Sequence, residues 1–228
     1  KAKGEIVIEE REDNNWIYLD SYYKAEENVA NKLITLDKAR NMKHINDFED
    51  ELEKIEQKTD LILSDKQKEA IEAVNDNNVC IITGGPGTGK TTIIKVILEL
   101  YKSKKRKTVL CAPTGRAAKR MTETTGEEAK TLHRLLEIGK IEEERTSKYN
   151  DFDVAPLDAD VIIVDEMSMV DLFLMNYLVK AIYQGSKLVL VGDVDQLPSV
   201  GPGNILADLI NSKRIKTIVL NKIFRQAA

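Results

Sequence analysis

Val79-Cys80-Ile81-Ile82-Thr83-Gly84-Gly85-Pro86-Gly87-Thr88-Gly89-Lys90-Thr91-Thr92 is the stretch on which the rest of the chain can be hung. Its first five residues form an apolar, β-branched run of strand length. From Thr91 to Tyr101 the apolar positions Ile94, Ile97, Leu98 and Tyr101 recur at helical spacing. Between strand and helix lies Gly-x-x-x-x-Gly-Lys-Thr. Glycines there let the backbone approach a phosphate chain and turn successive N–H groups inward, and the helix N-terminus adds partial positive charge. Gly85, Pro86, Gly87, Thr88, Gly89, Lys90, Thr91 and Thr92 are therefore expected to hold a nucleoside triphosphate. Lys90 is expected to reach the β- and γ-phosphates, and the Thr91 hydroxyl to ligate Mg2+.

Short apolar runs recur after this unit in sequence: Thr108–Ala112, Val161–Val164, Leu188–Val191 and Ile215–Leu220. They alternate with amphipathic helical segments, which predicts an α/β fold with a parallel sheet flanked by helices on both faces. Upstream, Glu5–Glu9 and Trp16–Leu19 read as strands and Ser21–Leu36 as a helix. Asp37–Asp60 is densely charged with few apolar anchors, so it reads as a connecting helix or linker. The expected division is a small α+β segment with its charged linker over residues 1–60, followed by a nucleotide-binding domain over 61–228. Gly139–Pro156 breaks the alternation and reads as a surface hairpin or loop.

A second chemical feature follows the run Asp160-Val161-Ile162-Ile163-Val164, which ends in Asp165-Glu166. Carboxylates at the C-terminal end of a buried strand sit at the ligand crevice of an open α/β sheet. Asp165 suits the metal ligand and Glu166 the general base that orients or deprotonates an attacking water. Two solvated acids after a core strand would look the same in isolation; the phosphate loop upstream decides between the readings.

Net charge is −4 over 228 residues, which argues against coating nucleic acid by bulk positive charge. The run Lys102–Lys107 reads as a solvated turn whose cations complement the end of the preceding helix. Apolar residues make up 42% of the chain, enough for a packed core, and no stretch approaches the length of a membrane span. Cys80 and Cys111 lie in strand-like runs without metal-ligand spacing and read as buried, reduced thiols of a cytoplasmic protein. The start at Lys1, without an initiator Met or a signal-peptide pattern, reads as that of a fragment cut from a longer protein.

Further segments carry a resemblance. Gly192-Asp193-Val194-Asp195-Gln196-Leu197-Pro198-Ser199-Val200 resembles motif III of superfamily 1 helicases. Cys111–Met121, Thr131–Leu136, Asp165–Asp171 and Ile223–Gln226 look like motifs Ia, Ib, II and IV of the RecD/TraA group. Leu63–Ile71 resembles its adenine-reading Q motif. The resemblance runs from Leu61 to Gln226 with the motifs in order, and more weakly into the N-terminal segment. It implies the first RecA-like motor domain of a 5′-to-3′ DNA helicase of the exodeoxyribonuclease V alpha-subunit kind, using ATP and Mg2+. It also implies that a second RecA-like domain is missing after Gln226.

By resemblance, Gln196 senses the γ-phosphate, Arg225 stabilises its charge and Gln67 recognises adenine. Ser64-x-x-Gln67 is at the same time a helix capping box. Pro113, Thr114, Arg116 and His133 line the single-stranded DNA channel, contacts that hold a strand without reading its bases. Arg116 also reads as part of a basic helix face, and His133 as a helical residue packed against Leu132 and Leu136. The parent would be a free-standing helicase, a partner of other helicase and nuclease subunits, or the motor of a conjugative relaxase. A nucleotide-gated DNA-binding module without turnover is the competing reading. A small-molecule kinase would leave Gly192–Pro198 and Pro113–Arg116 unexplained.

Overall fold

The computed structural model describes residues 6–11, 14–138 and 154–224. Strands β1 (Ile6–Arg11) and β2 (Asn14–Leu19) pair antiparallel as a separate two-stranded ribbon, and α1 (Asp20–Lys38) follows directly. Next come α2 (Phe48–Thr59) and α3 (Asp65–Asp76). The main sheet uses β3 (Val79–Gly84), β4 (Thr108–Ala112), β5 (Ala129–Thr131), β6 (Val161–Val164), β7 (Lys187–Gly192) and β8 (Lys216–Leu220). Between these run α4 (Lys90–Ser103), α5 (Gly115–Thr125), α6 (Leu132–Leu135), α7 (Leu172–Ala181) and α8 (Ile205–Ser212).

The six strands are ordered β5-β4-β6-β7-β3-β8 and every pairing is parallel. This is the expected fold, a RecA-like parallel sheet covered on both faces. Its strands can be apolar without interruption because alternate residues enter two different cores. Val79, Ile81, Ile162, Val164, Leu188 and Leu190 face a layer built from α1, α6, α7 and α8. Cys80, Ile82, Val161, Ile163, Val189 and Val191 face a layer built from α2, α3, α4 and α5. Strand β5 has no counterpart in the sequence reading: three half-buried residues carry no periodicity to detect.

Packing continues through residue 60. In α1, Ala25, Val29, Leu33 and Leu36 repeat on one helical face and enter the first core; in α2, Leu52 and Ile55 enter the second. At the end of the sheet where β7 begins, Lys187 is fully buried and donates from Nζ to the carbonyls of Asn75 and Asn77, both at 2.9 Å. It thereby caps the C-terminal end of α3. Nearby, Asn78 donates to the carbonyls of Leu36 and Ala39, tying α1 to the same corner. Residues 139–153 of the expected loop lie outside the described residues. Among the described residues no helix is long and apolar enough to cross a membrane.

Candidate nucleotide site at the carboxyl edge of the sheet

Because all six strands run the same way, their C-terminal ends share one edge, and each releases a motif there. β3 leads into the phosphate loop, β4 into Pro113-Thr114, β5 into Leu132-His133, β6 into Asp165-Glu166, β7 into Asp193–Val200 and β8 into Asn221–Phe224.

The loop is tightly built. A Cβ on Gly84 would stand 2.6 Å from the carbonyl oxygen of Leu220 and 2.9 Å from Thr88 Oγ1, so only glycine fits between β3 and β8. Gly87 and Gly89 adopt φ of +77° and +87°, the left-handed region open to glycine. Thr88 is buried and donates from Oγ1 to the carbonyl of Gly85 at 2.8 Å. Lys90 Nζ donates to the carbonyls of Gly84 and, at 3.0 Å, of Gly85. The first turn of α4 carries no acid, so its N–H groups present an unopposed positive end.

Two strands away, burial pushes the Asp165 carboxyl above its usual range. The Glu166 N–H at 2.9 Å and the charges of Lys90 and Arg120 oppose this, while the charge of Glu166 adds to it. Glu166 has φ of +56°, a strained setting for a residue with a Cβ. The turn Met167–Met169 that follows packs on Gly192, where an added Cβ would come within 3.1 Å of Met167 N. Among the described residues no group of three or more His, Cys, Asp or Glu side chains could enclose a metal. The donor set at this edge, one hydroxyl from Thr91 and one carboxylate from Asp165, suits Mg2+, which is held by few protein ligands together with phosphate oxygens.

The loop after β7 is organised by Asp193, buried at 3% exposure. Its carboxylate accepts from Asp195 N at 3.1 Å and from Gln196 Nε2 at 3.2 Å. Val194 N donates to Thr83 Oγ1 at 3.3 Å, fastening this loop to the strand that feeds the phosphate loop. Gln196 itself is exposed at the same edge.

Gln67 is buried and is brought against the phosphate loop. Its Oε1 accepts from Ser64 N at 3.0 Å, completing a capping box with Ser64 Oγ. Its Nε2 faces Gly89, only 2.3 Å from where a Cβ would be. The capping box therefore occupies the amide oxygen and leaves the amide nitrogen on the loop side. Sequence reasoning missed Phe224. Its N–H donates to the carbonyl of Gly87 at 2.8 Å, and its ring lies 3.6 Å from the same Gly89 position. Its signal was its place next to Arg225, which lies outside the described residues. The charge of Arg120, on α5, also reaches Asp165, because β4, which leads into α5, neighbours β6.

Pro113, Thr114, Arg116 and His133 lie on the β4–β5 half of the edge, apart from the phosphate loop. Thr114 Oγ1 caps α5 by accepting from Ala117 N at 3.2 Å. Arg116 is exposed, and so is His133, although Leu132 and Leu136 beside it are buried. The basic run is paired with acids: Lys102 with Glu127, Lys104 with Asp47 at 2.6 Å and Lys107 with Asp158 at 2.5 Å. Both cysteines are buried; burial pushes the Cys80 thiol up to about 12 and the Cys111 thiol higher still.

Comparison with known proteins adds a family match, two relatives and a solved structure. Residues 67–202 match the AAA domain family. The chain is 41% identical over 166 residues to the ATP-dependent RecD2 DNA helicase of Deinococcus radiodurans, a match covering 73% of this chain and 22% of that protein. It is 35% identical over 227 residues to the RecBCD enzyme subunit RecD of Mycobacterium tuberculosis, covering 90% of this chain and 37% of that one. Among solved structures, the Pif1 helicase from Candida albicans superposes with a TM-score of 0.53 at 25% identity, over 73% of this chain and 41% of that chain. The chain thus spans well under half the length of these relatives.

Proposed function

The chain belongs to the AAA domain family, with RecD-type helicase chains among its relatives, and on that premise we propose that it is the ATP-hydrolysing motor domain of a DNA helicase that moves along single-stranded DNA. The observation that carries this reading is the shared edge. The phosphate loop, the Asp165-Glu166 pair and the Gln196 loop meet there, with the charge of Lys90 acting on Asp165.

On this reading the first-turn N–H groups of α4 and the Lys90 ammonium hold the phosphate chain. Thr91 and Asp165 would hold Mg2+, which supplies charge neutralisation and orientation of the γ-phosphate when bound. Glu166, turned out of the strand by its left-handed backbone, accepts the proton of the attacking water as its oxygen bonds to the γ-phosphorus. The bond to the β-phosphate oxygen breaks and ADP leaves. Gln196, held by Asp193, reports the γ-phosphate to the strand-binding side, and Arg225 adds positive charge to the transferring group. Gln67 Nε2 and the Phe224 ring supply one polar and one apolar surface for the base. Pro113, Thr114, Arg116 and His133 contact the DNA strand. The setting is cytoplasmic, and partner helicase or nuclease subunits fit the relationship to RecD.

Glu166→Gln tests the assignment. It keeps size and backbone but cannot take a proton. ATP binding is expected to survive, while turnover in the full-length protein falls by about 10²–10⁴-fold. Loss of binding in step with turnover would make Glu166 a structural residue and refute the mechanism.

A further inference from the structure

Among the described residues before position 61, Glu56 bonds to both flanks of Gln67. Glu56, in the last turn of α2, accepts from Leu63 N at 3.1 Å with Oε1 and from Lys68 Nζ at 2.7 Å with Oε2. Leu63 immediately precedes Ser64, the N-cap of α3, and Lys68 immediately follows Gln67. The carboxylate therefore bridges the two flanks of the capping box that aims the Gln67 amide at Gly89. The backbone reinforces the bridge, since Leu61 N donates to the carbonyl of Glu56 at 3.2 Å. α2 is itself fixed, with Leu52 and Ile55 in the same core as Ile93, Ile94 and Ile97 of α4. Burial alone would raise the Glu56 carboxyl, but Lys68 and the Leu63 N–H outweigh it and hold the group below its usual range, charged at neutral pH.

We propose that Glu56 is a positioning residue for base recognition: by clamping Leu63 and Lys68 it sets the pose of Gln67, so the segment before the motor tunes which nucleotide is bound. The inference rests on the reading of Gln67 as a base contact. Phosphate contacts lie on α4 and its loop, which Glu56 does not touch. Its effect is thus confined to the part of the affinity that depends on the base.

The test compares the magnesium-dependent affinities of ATP and of inorganic tripolyphosphate for the 228-residue chain and its variants, by displacement of a fluorescent nucleotide. Gln67→Ala and Glu56→Ala are each expected to weaken ATP about tenfold and to leave tripolyphosphate unchanged. The double variant should be no weaker than Gln67→Ala, because both act through one contact. Glu56→Gln keeps an oxygen for the Leu63 N–H and should recover most of the loss. Equal weakening of ATP and tripolyphosphate by Glu56→Ala, or additive effects in the double variant, overturns the proposal. If Gln67→Ala acts and Glu56→Ala is silent, the proposal alone fails. If Gln67→Ala leaves the ATP-to-tripolyphosphate ratio unchanged, the base reading fails and the proposal with it. Should Glu56→Ala not fold, Lys68→Met removes the cation from Oε2 and is expected to weaken ATP alone, by about threefold; no change there overturns the proposal.

Discussion

Replacing Gly89 with alanine puts a methyl group against the Gln67 amide, and its cost can be worked out. At φ of +87° and ψ of 19° the backbone is left-handed, which costs a residue with a Cβ about 1–2 kcal/mol. The new methyl would stand 2.3 Å from Gln67 Nε2 and 3.5 Å from its Cδ, so the amide must swing away. That motion breaks the bond from Ser64 N to Gln67 Oε1, worth about 0.5–1.5 kcal/mol. The sum is about 2–3 kcal/mol, which in a domain of this size lowers Tm by about 5–10 °C. Urea unfolding followed by far-UV circular dichroism measures it. The decisive comparison is a cycle with Gln67→Ala. Once Gly89→Ala has already displaced the amide, truncating Gln67 should cost about 1 kcal/mol less than it does in the wild type. Additivity to within about 0.5 kcal/mol would show that the two positions do not meet and would remove the contact on which the site geometry depends.

Two further predictions concern strain and buried charge. Glu166→Gly relieves the left-handed backbone at φ of +56° and is expected to stabilise the fold by about 1 kcal/mol in thermal melts while abolishing hydrolysis; a destabilised variant would mean that the side chain, not the chemistry, requires that conformation. Burial lowers the Lys187 ammonium to about 8, so between that value and its unfolded value of about 10.4 the folded state has lost a proton that the unfolded state keeps. Stability from this group therefore rises with pH across that window, by about 3 kcal/mol in all, and the cost of burying the charge is fully present below it. The difference in unfolding free energy between wild type and Lys187→Met, measured from pH 7 to 10, should move in favour of the wild type as pH rises. A pH-independent difference would place the ammonium in water.

The phosphate loop was legible because every local signal agreed: an apolar run, glycines where φ is positive, a lysine and a helical period. The placement of Asp165-Glu166 at the end of a buried strand was legible for the same reason, as the end of a run with no polar interruption. Features that depend on distant partners were not. Lys187 precedes the apolar run Leu188–Val191 and carries no local signal of burial, yet its two acceptors are carbonyls at the end of α3, about 110 positions earlier in the chain. Phe224 reaches the phosphate loop only because β8 lies beside β3, a neighbour relation that no local pattern encodes. The charged stretch before residue 60 was legible only in part: a connecting helix is there as α2, but its packing was not. Its buried anchors Ile45, Leu52 and Ile55, with Phe48 packed beside them, are too sparse to show which face packs, and the role of Glu56 emerges only when α2 and α3 are side by side.

The bond from Phe224 N–H to the Gly87 carbonyl also has a mechanical meaning. A load arriving along the chain from beyond residue 224 meets this one hydrogen bond before it meets the ladder between β8 and β3. The first thing such a pull would loosen is the glycine turn at Gly87, and a tightened turn would in turn draw the chain inward. One amide thus makes the tail of the domain a string tied to its trigger.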